Sequence, residues 1–225
     1  MILFQVWCEC PEQQETDREE TSFITIIPFA LLMFFIIAIM RTNANSEGCF
    51  HGSNKVTMFN GTYKRCDEIV KGDVVSLANQ RPARVVCVMK IRKTKSNTIR
   101  LVKFPCGLII TEYHPIKIKD WWAFPKNIAT HVPFTEPFDA VYSFLLENED
   151  GSPVECGIII EEFECAPLGH NISGEVIGHE FFGNMQAVKD ALISVNAAQY
   201  NEGQVDVTHL QRMELGNAYG FTYNP

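Results

Sequence analysis

The sequence has no CxxC pair, no excess of positive charge and no calcium-loop spacing, and each gap removes a class of function. Its 19 lysines and arginines stand against 27 acids, a net charge of −8, which argues against a nucleic-acid partner because phosphate calls for a basic footprint. Without CxxC, the eight cysteines carry no strong structural-zinc signal. Cys8, Cys10, Cys49, Cys66, Cys87, Cys106, Cys156 and Cys165 are scattered, several of them singly in apolar runs. They read as mostly buried thiols, at least one of them reactive, and not as a disulfide set. Cys165, His170 and His179 lack a fourth ligand at zinc spacing, and the acids from Glu147 to Glu164 lack the EF-hand pattern and read as a solvated face. No metal and no cofactor are expected.

The 225 residues allow one domain of ordinary size plus an appendage. Residues 1–22 contain Pro11 and an acidic run relieved by Arg18, the composition of a flexible tail. Phe23 to Met40, FITIIPFALLMFFIIAIM, is eighteen residues without a charge, the minimum for a single membrane-spanning helix, in which Pro28 is tolerated. A buried core segment and a signal anchor removed later are the other readings. Arg41 follows the segment and acids crowd before it, which places the C-terminal part on the cytoplasmic side of a single-pass membrane protein. Residues 41–48 read as a polar linker.

From Cys49 the texture changes to short β-branched runs between turn residues, the pattern of an all-β domain. Candidate strands are Lys55–Phe59, Val74–Leu77, Arg84–Ile91, Thr98–Lys103, Leu108–Thr111, Ile116–Ile118, Ala140–Leu146 and Cys156–Phe163, with Asn60-Gly61 as a hairpin turn. Apolar runs at Ile69 and Ile128, and at Val85 and Val141, hint at a duplicated half. Gln186–Val195 fits a short amphipathic helix with Ala187, Ala191 and Val195 on one face. Val205–Thr208 reads as a late strand, and residues 216–225 as an aromatic, loop-like tail.

Chemistry concentrates at Gly48-Cys49-Phe50-His51-Gly52. Cysteine is the best uncharged nucleophile for an amide, since part of it is thiolate near neutrality and sulfur is intrinsically reactive. A cysteine after a glycine has a further reach: its sulfur meets the preceding carbonyl through a five-membered ring, converting amide to thioester. The shift needs a proton for the departing nitrogen, which a histidine supplies, and a donor for the oxyanion. Thr111-Glu112-Tyr113-His114-Pro115 follows an apolar strand, so His114 sits at a strand end facing a cleft. Thr111 is placed to orient the imidazole or to donate to the carbonyl. A lone T-x-x-H pair is common and, taken by itself, reads first as a satisfied surface histidine. Leu168-Gly169-His170-Asn171 offers a second histidine, behind a glycine that permits close backbone approach.

Together these strings resemble a known family. C-F-x-G-x-x-x-V from Cys49 to Val56, then Gly61, Ile69 and Gly72-Asp73-Val74, is similar to the opening block of Hint modules, the self-cleaving domains of hedgehog proteins and inteins. Thr111-x-x-His114-Pro115 and Ala140-Val141-Tyr142-Ser143-Phe144 resemble their later blocks, in order. Trp122-Ala123-Phe124-Pro125, Leu168-Gly169-His170 and His179-Glu180-Phe181-Phe182-Gly183 point to the Vint branch, found with von Willebrand A domains. The resemblance spans roughly residues 48–215 and implies a pseudo-symmetric horseshoe of short strands, with residues 49–215 as the domain.

It also implies autoproteolysis. Cys49 would be the nucleophile and Gly48 the cleavage site, with His114, assisted by Thr111, activating the bond. His170 would stand where an intein's penultimate histidine assists the second step. The substrate would be the chain's own N-terminal segment, and the acceptor water or a small-molecule nucleophile. Ile172 follows Asn171 where an intein has Cys, Ser or Thr, so full splicing is not expected. No sterol-binding extension is evident. The other reading of the same chain is a silent β-rich interaction module tethered to a membrane.

Three further features have a bland and a sharp reading. Lys90 to Lys103 holds six basic residues and no acid, either a solvated hairpin or a surface for anionic headgroups. Trp121 and Trp122 read as core residues before membrane anchors. Asn60-Gly61-Thr62 and Asn171-Ile172-Ser173 match a glycosylation sequon that arises often by chance.

Overall fold

Runs of three or four β-branched residues cannot bury much surface alone, so the chain pairs them into wide sheets. The computed structural model describes residues 48–95, 97–212 and 218–223. The elements are β1 (Phe50–His51), β2 (Lys55–Thr57), β3 (Tyr63–Arg65), β4 (Val74–Ser76), β5 (Pro82–Arg92), β6 (Leu101–Lys103), β7 (Ile109–Thr111), β8 (Ile116–Ile118), β9 (Trp121–Ala123), β10 (Val132–Phe134), β11 (Ala140–Glu147), β12 (Ile158–Ile160) and β13 (Phe163–Cys165). Helices α1 (Met185–Val195) and α2 (Ala197–Glu202) follow, then β14 (Gln204–Val207), β15 (His209–Arg212) and β16 (Ala218–Thr222).

Among the described residues the strands make an eight-stranded sheet in the order β10-β6-β7-β1-β11-β5-β14 with β4 also on β5, a six-stranded sheet β3-β2-β12-β13-β8-β9, and the pair β15-β16. This is a mostly β fold with few helices. The element order repeats. Hairpin β2–β3, a 3-10 turn at Cys66–Glu68 leaving through Ile69, then β4 and β5, corresponds to hairpin β8–β9, a 3-10 turn at Pro125–Asn127 leaving through Ile128, then β10 and β11. The two long strands β5 and β11 pair antiparallel, with Val85 opposite Leu146 and Ile91 opposite Val141.

Two apolar clusters lie on opposite faces of this pair, and strand alternation divides the side chains between them. Phe144 and Leu146 of β11 join Phe50, Val56, Ile110, Ile116, Ile158 and Ile160. Val141 and Leu145 join Cys49, Met89, Leu168, Val188, Leu192, Val205 and Phe221. A bulge in β5 opposite Leu145 and Leu146 switches its alternation, so Ala83 and Val85 belong to the first cluster and Cys87, Met89 and Ile91 to the second. Consecutive residues Cys49 and Phe50 therefore point into different cores. The nucleophile candidate faces the side that the C-terminal helices cover.

Four expectations change. The run Cys156–Phe163, read as one strand, is the hairpin β12–β13, turned by Glu161 and Glu162 at φ 46 and 71. Positive φ at two glutamates is the geometry of a type I′ turn without its Asn-Gly signature. The buried stripe of α1 is Val188 and Leu192, with Ala187, Ala191 and Val195 at its margins, and Asn184 caps the helix by accepting the Ala187 N–H at 3.0 Å. The loop-like end contains β16, whose Ala218 and Phe221 are buried in the second core. Trp121 is 56% exposed and not a core residue. No helix among the described residues is long and apolar enough to cross a membrane, and Phe23–Met40 lies outside them. The six described cysteines, Cys49, Cys66, Cys87, Cys106, Cys156 and Cys165, are free thiols.

Candidate functional site

β1 is only two residues long, yet it is threaded between two partners. Phe50 pairs with Ile110 of β7 on one side and Tyr142 of β11 on the other. That pairing continues into Cys49 and fixes the Gly48–Cys49 peptide at the end of β7. The Thr111 N–H donates to the Cys49 carbonyl at 3.0 Å, and the Cys49 N–H donates to Thr111 Oγ1, also at 3.0 Å. Asn54 braces the same strand from the next turn: its Nδ2 donates to the Ile109 carbonyl at 2.6 Å and its Oδ1 accepts the Ile109 N–H at 2.9 Å. Thr111 thus grips the nitrogen side of the peptide bond, where the sequence suggested the imidazole or the carbonyl.

His114 follows Thr111 through a tight turn closed by its own N–H on the Thr111 carbonyl. Its ring lies 4.2 Å from that of Phe50, and it is 1% exposed, so it is no surface histidine. Nε2 lies 2.8 Å from the Ala166 carbonyl, which can only accept, so the ring proton sits on Nε2. Nδ1 then carries a lone pair. It is buried and, in the neutral ring, has no donor to accept from among the described residues; it faces Gly48, where a Cβ would lie 3.2 Å from it and whose backbone would accept from it once protonated. Burial lowers the imidazole pKa from 6.5 to about 4, with the backbone of Ala166 and Gly48 pulling partly the other way. The ring is neutral throughout the physiological range.

A cavity of about 240 Å³ opens beside this peptide, lined by Gly48, His114, Ser143, His170, His179 and Arg212 among others. His170 reaches it because Gly169, at φ 68, passes where no side chain fits: a Cβ there would sit 2.7 Å from Leu145 Cδ1 and 2.8 Å from Met185 Cα. His170 Nδ1 accepts the Ile172 N–H at 3.2 Å, and burial, with His179 nearby, lowers its pKa to about 4. Asn171 turns away, its amide donating to Glu155 at 3.2 Å, and it does not line the cavity. The fold therefore brings Gly48, Cys49, Thr111 and His114 together and sets His170 on the wall of the same cavity.

Sequence reasoning weighed the wall residue His179 only as a zinc ligand and passed over Arg212 and Ser143 as site groups. His179 Nδ1 accepts the N–H groups of Phe181 and Phe182, and Arg212 comes from β15. Ser143, on β11, is 1% exposed, and its hydroxyl is the other buried side-chain polar atom without a partner among the described residues. Its only sequence signal was its place inside the string Ala140–Phe144. No group of three or more His, Cys, Asp or Glu among the described residues is arranged to hold a metal ion.

A family model for the Vint Hint domain matches residues 48–218. Among solved structures the chain is similar to the DnaB intein from Synechocystis sp. PCC 6803, at 11% identity and a TM-score of 0.37 over 53% of this chain and 97% of that one. It is also similar to the gp41-1 intein, at 17% identity and a TM-score of 0.35 over 46% and 91% of the two chains. No curated protein matches it. The family match begins at Gly48, takes in Thr111, His114 and His170, and ends in β16: the chain belongs to the Vint family of Hint domains.

Proposed function

We propose that this Hint domain cuts its own chain between Gly48 and Cys49. Cys49 Sγ attacks the Gly48 carbonyl carbon through a five-membered ring, forming a C–S bond. The C–N bond then breaks, and the nitrogen leaves as the free α-amine of Cys49. The neutral His114 Nδ1 takes the thiol proton and hands it to that nitrogen, while Thr111 Oγ1 holds the nitrogen in place. Water or another nucleophile next breaks the C–S bond, regenerating the thiol and releasing residues 1–48. His170, on the cavity wall, assists that second step. Asn171 faces away from the cavity, so cyclisation at that residue has no support and the reaction ends in cleavage, not splicing.

One observation carries this reading: the buried, unpartnered imidazole nitrogen faces Gly48 while the next amide N–H is held by Thr111. A buried polar atom without a partner is costly in a finished fold, and a site that must accept a proton during reaction is where such a cost is tolerated.

In this reading the apolar run Phe23–Met40 anchors the uncut chain in a membrane, with the Hint domain on the cytoplasmic side, and cleavage frees the domain. Expression of the full chain followed by membrane fractionation and N-terminal sequencing tests both parts. The expected result is a soluble fragment beginning at Cys49, with residues 1–48 left in the membrane fraction. A soluble full-length chain overturns the anchor, and an uncut chain overturns the cleavage.

A further inference from the structure

We infer that Ser143 is the hydroxyl that holds the oxyanion formed at the Gly48 carbonyl. This rests on the self-cleavage reading and adds the group that reading leaves unassigned. Attack by sulfur turns the carbonyl oxygen into an anion, which in a water-poor site needs a donor already in position. Thr111 Oγ1 is engaged on the other side of the bond, accepting the Cys49 N–H. His114 donates from Nε2 to Ala166, and its Nδ1 is an acceptor until it takes the thiol proton.

Ser143 meets the requirement on three counts. It lies one residue beyond Tyr142, the β11 partner of Phe50, so the strand pairing that fixes the cleavage site also fixes the serine. It shares strand parity with Val141 and Leu145, which pack in the same cluster as Cys49. Its hydroxyl is buried without a partner among the described residues, on the wall of the cavity that Gly48 and His114 also line. A serine on a strand has no local helical carbonyl to satisfy it, and a valine or alanine would fill the position at lower cost. The unused donor is explained when the missing acceptor forms only during the reaction. The hydroxyl keeps its proton throughout: it donates to the oxygen when the C–S bond forms and relaxes when the C–N bond breaks.

The test is the rate of cleavage during cell-free synthesis of the full chain, followed by intact mass. Ser143→Ala is expected to slow cleavage about 100-fold, the usual loss for one oxyanion donor. Ser143→Thr, which returns a hydroxyl, is expected to recover most of the rate. In a Cys49→Ala background, which keeps the chain whole, Ser143→Ala is expected to melt at or above the parent temperature, because it removes an unpaired buried hydroxyl. A parent that cuts beside a Ser143→Ala chain that cuts as fast overturns this assignment alone. So does a Ser143→Ala chain whose slower cleavage comes with a large fall in melting temperature. A parent that stays whole overturns the self-cleavage reading, and the assignment with it.

Discussion

Cys49→Ala is expected to leave every chain whole, a single full-length mass where the parent gives two pieces. In the proposed mechanism the effect is complete and not graded, because the sulfur is the atom that bonds to the Gly48 carbonyl. Among the described residues His114 Nδ1 and Ser143 Oγ are the buried side-chain polar atoms without a partner, and the proposed mechanism uses one as proton carrier and the other as oxyanion donor. Cys49 is fully buried in the same apolar cluster as Met89, Val141, Leu145 and Leu168, so removal of one sulfur leaves a small void and costs about 1 kcal/mol, within the common range for a core truncation. Thermal melting therefore separates loss of chemistry from loss of fold. Cys49→Ser keeps the shape and supplies a poorer nucleophile, so it is expected to cut slowly and to pass through an oxygen ester. A Cys49→Ala chain that still divides at residue 48 would place the chemistry elsewhere.

His114→Gln is expected to slow cleavage by about a thousandfold, in the middle of the range for loss of a positioned acid–base group. Glutamine can still donate to the Ala166 carbonyl, which keeps the local fold, but its amide neither takes nor gives a proton at neutral pH. The pH dependence of the parent tests the same residue independently. Burial holds the His114 pKa near 4, so the lone pair at Nδ1 persists well into acid. Cleavage at pH 5.5 is then expected to stay within about twofold of its value at pH 7, whereas an imidazole titrating at 6.5 would lose roughly tenfold. A midpoint near 6.5 would contradict the buried, neutral assignment.

Stability shifts in the same direction. Between pH 6.5 and 4 the unfolded chain binds a proton at His114 and at His170 that the folded chain refuses. The stabilisation from keeping them neutral is complete above pH 6.5 and is lost on acidification toward 4, by up to about 1.4 kcal/mol per pH unit for each group.

The sequence displayed the strands wherever alternation or β-branching ran unbroken, as in β5, β8 and β11. It concealed the β12–β13 hairpin, because Glu161 and Glu162 adopt positive φ without the residues that normally advertise it. It concealed β16 as well, since among the described residues Ala218–Thr222 takes its strand pairing from β15. At the site, Cys49, Thr111 and His114 were legible as a nucleophile after glycine and a histidine at a strand end. The burial of His114 was not, because Phe50 and Ala166, which enclose it, are far from it in sequence. The partner of Thr111 Oγ1 depended on how β1 threads between β7 and β11, a pairing across about sixty residues. Ser143 was on view but mute. A hydroxyl in a strand is unremarkable until its lack of a partner and the cavity before it are both known.

The most direct test of the central claim is hydroxylamine added to the chain as it is synthesised, followed by intact mass. A thioester at Gly48 is predicted to yield residues 1–48 ending in a hydroxamate, together with a fragment that begins at Cys49 and carries a free thiol, both accumulating faster as hydroxylamine rises. A chain that remains at full length, or that divides at residue 48 with an ordinary carboxylate at every hydroxylamine concentration, would contradict attack by Cys49 through a thioester.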